Sequence, residues 1–221
     1  DILRFHAAIW PAILLGLGLS LPKKLYAHAF VSVDGKKMSK SLGNVVDPVE
    51  VINAYGLDAF RYFFARHISS YEDSDFTWQK FEDAYNNELA NELGNAVQRV
   101  AAMIKKYQNG VIGDIPEPSH DIGLYKASLE KCRFDRALDA VWDQVKGVNQ
   151  YIEAEKPWII AKEHDDTHLQ EVLAEAAGSL MEIADLLEPF MPSTAEKIHY
   201  VFSEGVVRPL DDASLFPKNG S

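Results

Sequence analysis

The sequence predicts a mainly α-helical chain in which a short α/β piece precedes an all-α bundle. Three observations support this prediction. Residues 25–33 (LYAHAFVSV) form an apolar run that is typical of a buried strand. No run with the two-residue period of a strand follows Thr77. From Trp78 onward, apolar residues recur at helical spacing, and the segments end at residues that stop helices.

The composition is that of a soluble globular protein with a local excess of basic charge. Of the 221 residues, 47% are hydrophobic and 25% are charged, which excludes wholesale disorder. A single cysteine, Cys132, excludes an intrachain disulfide framework and a Cys-rich zinc knuckle, and it fits a reducing, cytoplasmic setting. The net charge is −11, yet six Lys/Arg against two Asp give +4 over residues 1–46 and leave −15 for the rest. An anionic ligand is therefore expected near the beginning of the chain.

The first element is an apolar run of 15 residues, 7–21. It is shorter than the roughly 20 residues that span a bilayer, and no basic segment typical of a signal peptide precedes it. We predict a buried helix of a larger domain, kinked at Pro11. The predicted strand 25–33 follows, then a turn at Asp34-Gly35 and a basic loop over residues 36–44.

Two short helices and a long helical region complete the prediction. Asp47 and Pro48 predict the start of a helix over residues 49–54, and Asp58 is the expected N-cap of a helix over 59–66. Residues 68–77 are irregular and acidic, with room for one short extended piece. A long helix is predicted from Trp78 to Gln108, because Asn109-Gly110 is a typical helix end. Further helices are predicted over 122–131, 135–153, 157–163, 167–187 and 193–202.

The basic loop carries the most specific motif. Lysine side chains interleaved with hydroxyls suit a loop that folds over phosphates, although an arbitrary lysine-rich loop is more often a solvated turn. The residue order here is Lys37, Met38, Ser39, Lys40 and Ser41, followed by LGNVVDP. This order resembles the KMSKS signature of class I aminoacyl-tRNA synthetases. The resemblance implies that these five residues (the KMSKS loop) bind ATP, with Lys37 and Lys40 as catalytic residues.

Two further segments resemble methionyl-tRNA synthetases. DILRFHAAIWP at the start is similar to their methionine-pocket helix, which implies that Ile2, His6 and Trp10 face the methionine side chain. NAVQR and EKPWIIAK are similar to their anticodon-binding segments, which implies that the anticodon is bound by Asn95, Arg99 and Trp158. Taken alone, residues of these types at helical spacing more often belong to a core or to a solvated face.

The resemblance implies a Rossmann-like class I catalytic domain, represented by its end, followed by an α-helical anticodon-binding bundle. The expected boundaries are 1–46 for the catalytic part, 47–77 for a stem-contact linker, 78–205 for the bundle and 206–221 for the tail. The HIGH motif and the N-terminal catalytic half are not found, so we expect a C-terminal portion that is inactive in isolation. The implied ligands of the full enzyme are methionine, ATP with Mg²⁺, and tRNA(Met). His164 and His168 have a spacing that can hold a metal, but we expect no metal site.

Three alternatives stay open, and the least favoured is a helical structural protein with a chance match to KMSKS, because three separate motifs agree in order and spacing. The KMSKS signature is shared by the synthetases for valine, leucine, isoleucine and cysteine. A second alternative is a module that binds tRNA without catalysing a reaction, for which the residues of the bundle would be sufficient. The oligomeric state and the preference for initiator or elongator tRNA are left open by the sequence.

Overall fold

The structure is a computed structural model that describes residues 2–38, 45–116, 121–210 and 214–217. The helical N-terminal segment comprises α1 (Ile2–Arg4), a π-helical turn π1 (Phe5–Ile9) and α2 (Trp10–Gly16). The π turn ends beside Pro11, whose ring would clash with the carbonyl of residue i−4 in a regular α-helix. None of these residues is buried. The prediction of a buried helix is therefore wrong within this chain.

A small sheet follows. It contains β1 (Val31–Val33), β2 (Lys36–Lys37) and β3 (Ser74–Phe76) in the order β2-β1-β3. β1 pairs antiparallel with β2 through the predicted Asp34-Gly35 turn, and it pairs parallel with β3. The predicted strand 25–33 is confirmed only at its end, and the loop predicted from Lys36 begins instead as a strand. The short extended piece in residues 68–77 is confirmed as β3.

Two helices link the sheet to the bundle. α3 (Pro48–Tyr55) begins at the predicted N-cap, where the Asp47 carboxylate accepts from the amide of Val49. α4 (Leu57–Arg66) begins after Gly56, and Asp58 is not its cap. The Asp58 carboxylate instead accepts from the amide and the hydroxyl of Thr194, at 2.6 and 2.8 Å. The predicted cap was wrong because Asp58 serves the first turn of a helix that lies 134 residues later in the chain.

The bundle surrounds α10. Its helices are α5 (Trp78–Asp83), π2 (Ala84–Gly94, π-helical), α6 (Asn95–Gln108), α7 (Gly123–Glu130), α8 (Phe134–Glu155), α9 (Pro157–Glu163), α10 (Asp166–Leu187) and α11 (Pro192–Phe202). α10 packs against α6, α8, α9 and α11. Its buried face contains leucine, valine, isoleucine and alanine at helical spacing, which is the pattern of a helix with a core on several sides.

The predicted helix from Trp78 to Gln108 is confirmed in extent and in its end, where Asn109 is left-handed with φ of 53°. Its hydrogen bonding differs, because the eleven residues of π2 are π-helical. The bounds of the later helices agree with the predictions within two residues. None of the helices in the described ranges has the length and apolar character needed to cross a bilayer.

Candidate functional site

The KMSKS loop begins in a β-hairpin. Asp34 and Gly35 both have positive φ values, 51° and 71°, which is the backbone of a type I′ turn. Lys37 lies in β2 opposite Ser32, and the exposed Met38 follows it. The predicted site residues Ser39, Lys40 and Ser41 lie outside the described residues. The structure therefore shows how the chain enters the loop.

Asp75, on the far side of β1, holds the base of this hairpin. Its Oδ1 accepts a hydrogen bond from the amide of Gly35 and another from the hydroxyl of Ser32, each at 2.7 Å. The hydrogen bond from Gly35, and then that from Ser32, lowers the pKa of the Asp75 carboxyl. Asp75 was not predicted as a site residue, although it belongs to an acidic stretch in which a short extended piece was expected.

The three residues implied for methionine binding line the N-terminal helical segment. Ile2 and His6 border a groove of about 570 Å³ whose other wall includes Leu25, Tyr26 and His28. His6 also borders a second groove, of about 490 Å³, together with Trp10. The Nδ1 of His6 lies 2.9 Å from the carbonyl oxygen of Ile2, so this nitrogen donates and the ring orientation is fixed. Within the described residues His6 is shared by both grooves, whereas Ile2 and Trp10 line different ones.

The three residues implied for anticodon binding lie on two helices that the bundle brings together. Asn95 is exposed at the start of α6, and Arg99 follows one turn later on the same face. The guanidinium of Arg99 lies over the ring of Trp158, 5.4 Å from its centroid. It also donates to the carboxylate of Glu153 at 2.5 Å. Glu153 was not singled out in the sequence, because it belongs to a different helix from Arg99.

The position of Trp158 is defined by the start of α9 and by the core beneath its ring. It follows Pro157 at the start of α9, after the left-handed Lys156 that reverses the chain from α8. Its ring is half-buried and packs against the hydrophobic core, which fixes its orientation. The Arg99 guanidinium lies over this ring, an arrangement of cation and ring that also suits a stacked base.

Two further asparagines precede Asn95 in the sequence, each four residues before the next. Asn87 and Asn91 are exposed, as expected for a solvated or ligand-facing side. They lie in π2, however, where a turn is wider than in an α-helix and a spacing of four residues does not complete it. The face shared by Asn95 and Arg99 in α6 is therefore not extended in a straight line by the earlier asparagines.

A partly buried polar cluster joins α4 to the bundle. The hydroxyl of Tyr62, a fully buried residue of α4, donates to Glu88 Oε2 of π2 at 2.5 Å and accepts from Arg66 at 2.6 Å. His67 lies 2.8 Å from the same carboxylate oxygen. Burial raises the pKa of the Tyr62 phenol, so the hydroxyl keeps its proton. Burial opposes ionisation of Glu88, but the hydrogen bonds from His67 and Tyr62 outweigh it and lower the pKa.

Arg66 extends this cluster to α8. Its guanidinium lies 3.3 Å from the Asp139 carboxylate and 4.7 Å from the centroid of the Trp142 ring. The beginning of the chain reaches the bundle as well, since Lys24 Nζ donates to the carbonyl of Glu130 at 2.7 Å. These contacts were not predicted, because their partners are far apart in sequence. In the described ranges no group of three or more His, Cys, Asp or Glu side chains is arranged to hold a metal ion.

Comparison with known proteins gives matches along both parts of the chain. Residues 1–101 match the family model described as "tRNA synthetases class I (M)", and residues 120–217 match the "Anticodon-binding domain of tRNA ligase". The methionine–tRNA ligase of Streptomyces coelicolor is 42% identical over 214 residues, covering 90% of this chain and 40% of the relative. That of Thermotoga maritima is 38% identical over 212 residues, covering 90% of this chain and 33% of the relative. This chain thus spans about a third to two-fifths of the length of the curated relatives it matches.

Solved structures agree with this assignment. The apo form of Mycobacterium tuberculosis methionyl-tRNA synthetase superposes with a TM-score of 0.85 at 27% identity, covering all of this chain and 49% of that chain. The same enzyme bound by methionyl-adenylate also gives a TM-score of 0.85, at 29% identity, covering 98% of this chain and 48% of that one. Together, these matches show that residues 1–101 are similar to class I tRNA synthetase domains and residues 120–217 to anticodon-binding domains of tRNA ligases, and that the relatives named above are methionyl-tRNA synthetases.

Proposed function

We propose that this chain is the C-terminal portion of a cytoplasmic methionine–tRNA ligase, an enzyme of protein biosynthesis. The full enzyme would join methionine to tRNA(Met) at the expense of ATP. This chain would supply the KMSKS loop and the anticodon contacts, and it would be inactive without the nucleotide-binding half. The observation that carries the proposal is the Arg99 guanidinium over the Trp158 ring, with Asn95 one turn before it on α6.

Anticodon recognition would use these three side chains. Single-stranded loops are recognised by stacking on aromatic or guanidinium planes and by hydrogen bonds to the base edges. Trp158 offers the plane, Arg99 offers donors and a second plane, and the exposed Asn95 amide offers both a donor and an acceptor. The net charge of −11 excludes a broad basic field, so recognition would depend on such local contacts.

The KMSKS loop would act in methionine activation. The methionine carboxylate oxygen attacks the α-phosphorus of ATP, the bond to the β-phosphate breaks, and pyrophosphate leaves with Mg²⁺. Lys37 and Lys40 would neutralise the charge that develops on the leaving pyrophosphate, with Ser39 and Ser41 donating hydrogen bonds. The type I′ turn at Asp34-Gly35 supports this role, because it projects the basic residues from a defined strand end. A ribose hydroxyl of the tRNA 3′ end then attacks the adenylate carbonyl, and AMP leaves.

The methionine side chain would lie along the N-terminal helical segment. An unbranched thioether suits a narrow pocket with aromatic walls, through contacts between sulfur and a ring. Ile2, His6 and Trp10 border the two apolar grooves that share the His6 ring. The hydrogen bond from His6 to the carbonyl of Ile2 supports this role, since it holds the ring in place before a ligand arrives.

Two other functions make different predictions. Another class I synthetase would share the KMSKS loop but would not select the methionine anticodon. A binding module without catalysis would recognise the anticodon, while the full-length protein would exchange no pyrophosphate into ATP.

The experiment that tests the proposal is binding of the chain to an RNA anticodon stem-loop with the sequence CAU. A loop with one changed base is the control ligand, and both are measured at two salt concentrations. We expect selective binding that falls about 5- to 150-fold in Trp158→Ala, the range for loss of one stacked base. Trp78→Ala is the control, because Trp78 is a tryptophan with an exposed fraction of 41% that lies in a different helix, α5. Binding that ignores the loop sequence, or an equal loss in both variants, would contradict the proposal.

A further inference from the structure

We infer that Asp75 is a positioning residue for the KMSKS loop: its carboxylate fixes the base of the hairpin from which the loop emerges. The inference depends on the proposed function, because it assigns Asp75 a role in the reaction of that loop. Asp75 does not belong to the loop and lies 35 residues beyond Lys40 in the chain. It reaches the hairpin because β3 pairs in parallel with β1.

The strand pairing of the hairpin is short in the described part of the chain. β2 contains only Lys36 and Lys37, and both are exposed. Two residue pairs connect β2 to β1, which is too little to be stable by itself. Asp34 and Gly35 turn the tip with positive φ values, a backbone conformation that Gly, Asn and Asp adopt more easily than other residue types. A strand this short depends on contacts from outside for a defined direction.

Asp75 provides such contacts at the point where the strand reverses. Its Oδ1 accepts from the amide of Gly35 and from the hydroxyl of Ser32, both at 2.7 Å. One atom thus holds the turn and the strand before it. Hydrogen bonds to an ionised acceptor are shorter and stronger than neutral ones, and the lowered pKa keeps this carboxylate ionised at neutral pH. The amide of Asp34 adds a backbone hydrogen bond to the carbonyl of Phe76 at 3.3 Å.

β3 is a rigid support for the carboxylate. Phe76, the next residue, is 1% exposed and packs against the rings of Phe63, Phe64 and Phe81 at centroid distances of 5.5–6.1 Å. The loop base is therefore fixed to the aromatic core of the linker. Without Asp75 the turn would be free to tilt, and lysines two to five residues beyond Gly35 would be displaced. A displacement of about 1 Å is enough to lower a rate about 100-fold.

The test compares Asp75→Ala with Asp73→Ala in the full-length enzyme, by methionine-dependent exchange of pyrophosphate into ATP. Asp73 is the matched control, because its carboxylate also accepts from a backbone amide, that of Phe30 at 2.9 Å, but away from the hairpin. We expect Asp75→Ala to lower kcat about 100-fold while the KM for methionine stays within twofold. Asp73→Ala should stay within threefold of the wild type, and Asp75→Asn should recover part of the loss, because its amide oxygen can still accept.

The hydroxyl partner gives a second comparison. Ser32→Ala should lower kcat less than Asp75→Ala, and Ser32→Thr, which keeps the hydroxyl, should restore it. In the chain itself, Asp75→Ala should accelerate hydrogen exchange of the Gly35 amide without weakening anticodon stem-loop binding. If the wild type is active and Asp75→Ala is equally active, the inference about Asp75 is wrong. The same holds if Asp73→Ala loses as much activity as Asp75→Ala. Either result would leave the proposed function intact. A wild-type enzyme without methionine-dependent exchange would overturn the proposed function and this inference with it.

Discussion

Removal of one hydroxyl in the joint between linker and bundle should cost more stability than removal of a similar hydroxyl elsewhere. In Tyr62→Phe the ring keeps its packing against Trp142, at a centroid distance of 4.5 Å. The variant loses the hydrogen bond donated to Glu88 and the one accepted from Arg66. Both partners are charged, and both have side chains that are less than a quarter exposed.

The expected cost follows from the contacts that remain. A hydrogen bond to a charged group contributes about 1.5–3 kcal/mol, and a neutral one about 1 kcal/mol. Glu88 keeps its contact with His67, and Arg66 keeps Asp139, so the two losses do not add in full. We expect Tyr62→Phe to lower the free energy of unfolding by about 2.5 kcal/mol. For a chain of this length this corresponds to a decrease in Tm of about 5–10 °C.

Tyr125→Phe is the matched control. The Tyr125 hydroxyl is also buried, but it donates to a neutral acceptor, the carbonyl of Leu186, at 2.7 Å. We expect this variant to lose about 1 kcal/mol, or about 2–4 °C in Tm. The measurement is thermal unfolding of the chain followed by circular dichroism. A Tyr62→Phe variant that is no less stable than Tyr125→Phe would refute the reasoning that the charged partners make this joint costly to break.

Three further predictions concern capping, pH and catalysis. Asp58→Ala removes the acceptor for the amide and hydroxyl of Thr194 and should destabilise the chain by about 1–2 kcal/mol in urea unfolding, whereas Asp58→Asn should lose less. Burial, with nearby glutamates, raises the pKa of Tyr151 from 10.0 to about 12, so the folded state keeps a proton that the unfolded state loses above pH 10. Stability should therefore fall as the pH rises from about 10 to about 12, and Tyr151→Phe should weaken this dependence; an unchanged profile would contradict it. Lys40→Ala in the full-length enzyme should slow adenylate formation about 10²–10³-fold with little change in methionine affinity, and a parallel loss of both would exclude the role given to Lys40.

Helix ends were predictable because their signals are local. α9 begins and ends at the predicted residues, since Pro157 fixes its first turn and the left-handed His164 ends it. The hydrogen-bond register of π2 was not predictable, because the apolar spacing there is compatible with α-helical and π-helical turns. The exposure of the first helical segment was also not predictable from the sequence. An apolar face shows that residues can be buried, but not what covers them.

The candidate site also has features that the sequence predicts and features that depend on tertiary packing. Arg99 and Trp158 were predicted from motifs, yet their contact depends on the packing of α6 against α8 and on the reversal at Lys156. Asp75 and Glu88 were assigned no role and Asp58 was given the wrong one, because each carboxylate serves a partner on another element. The spacing of residues in the sequence predicts which side chains share one face of a single helix or strand. A carboxylate that joins two elements has no such periodic signal.

The same three carboxylates connect the hairpin, through α4, to the residues that are proposed to bind the anticodon. Asp75 ties the hairpin to β3, whose Phe76 packs on α4. Glu88 and Asp58 tie α4 to π2 and to α11. π2 leads directly into α6, which carries Asn95 and Arg99. In each of these contacts, fixed hydrogen-bond donors replace water around a carboxylate. The contact therefore stabilises the fold, and removing one partner lowers the free energy of unfolding. The spacing between the hairpin and the residues proposed for anticodon binding is thus set by a few polar contacts on a small aromatic core. Substitutions at these contacts should disturb this geometry before they unfold the bundle.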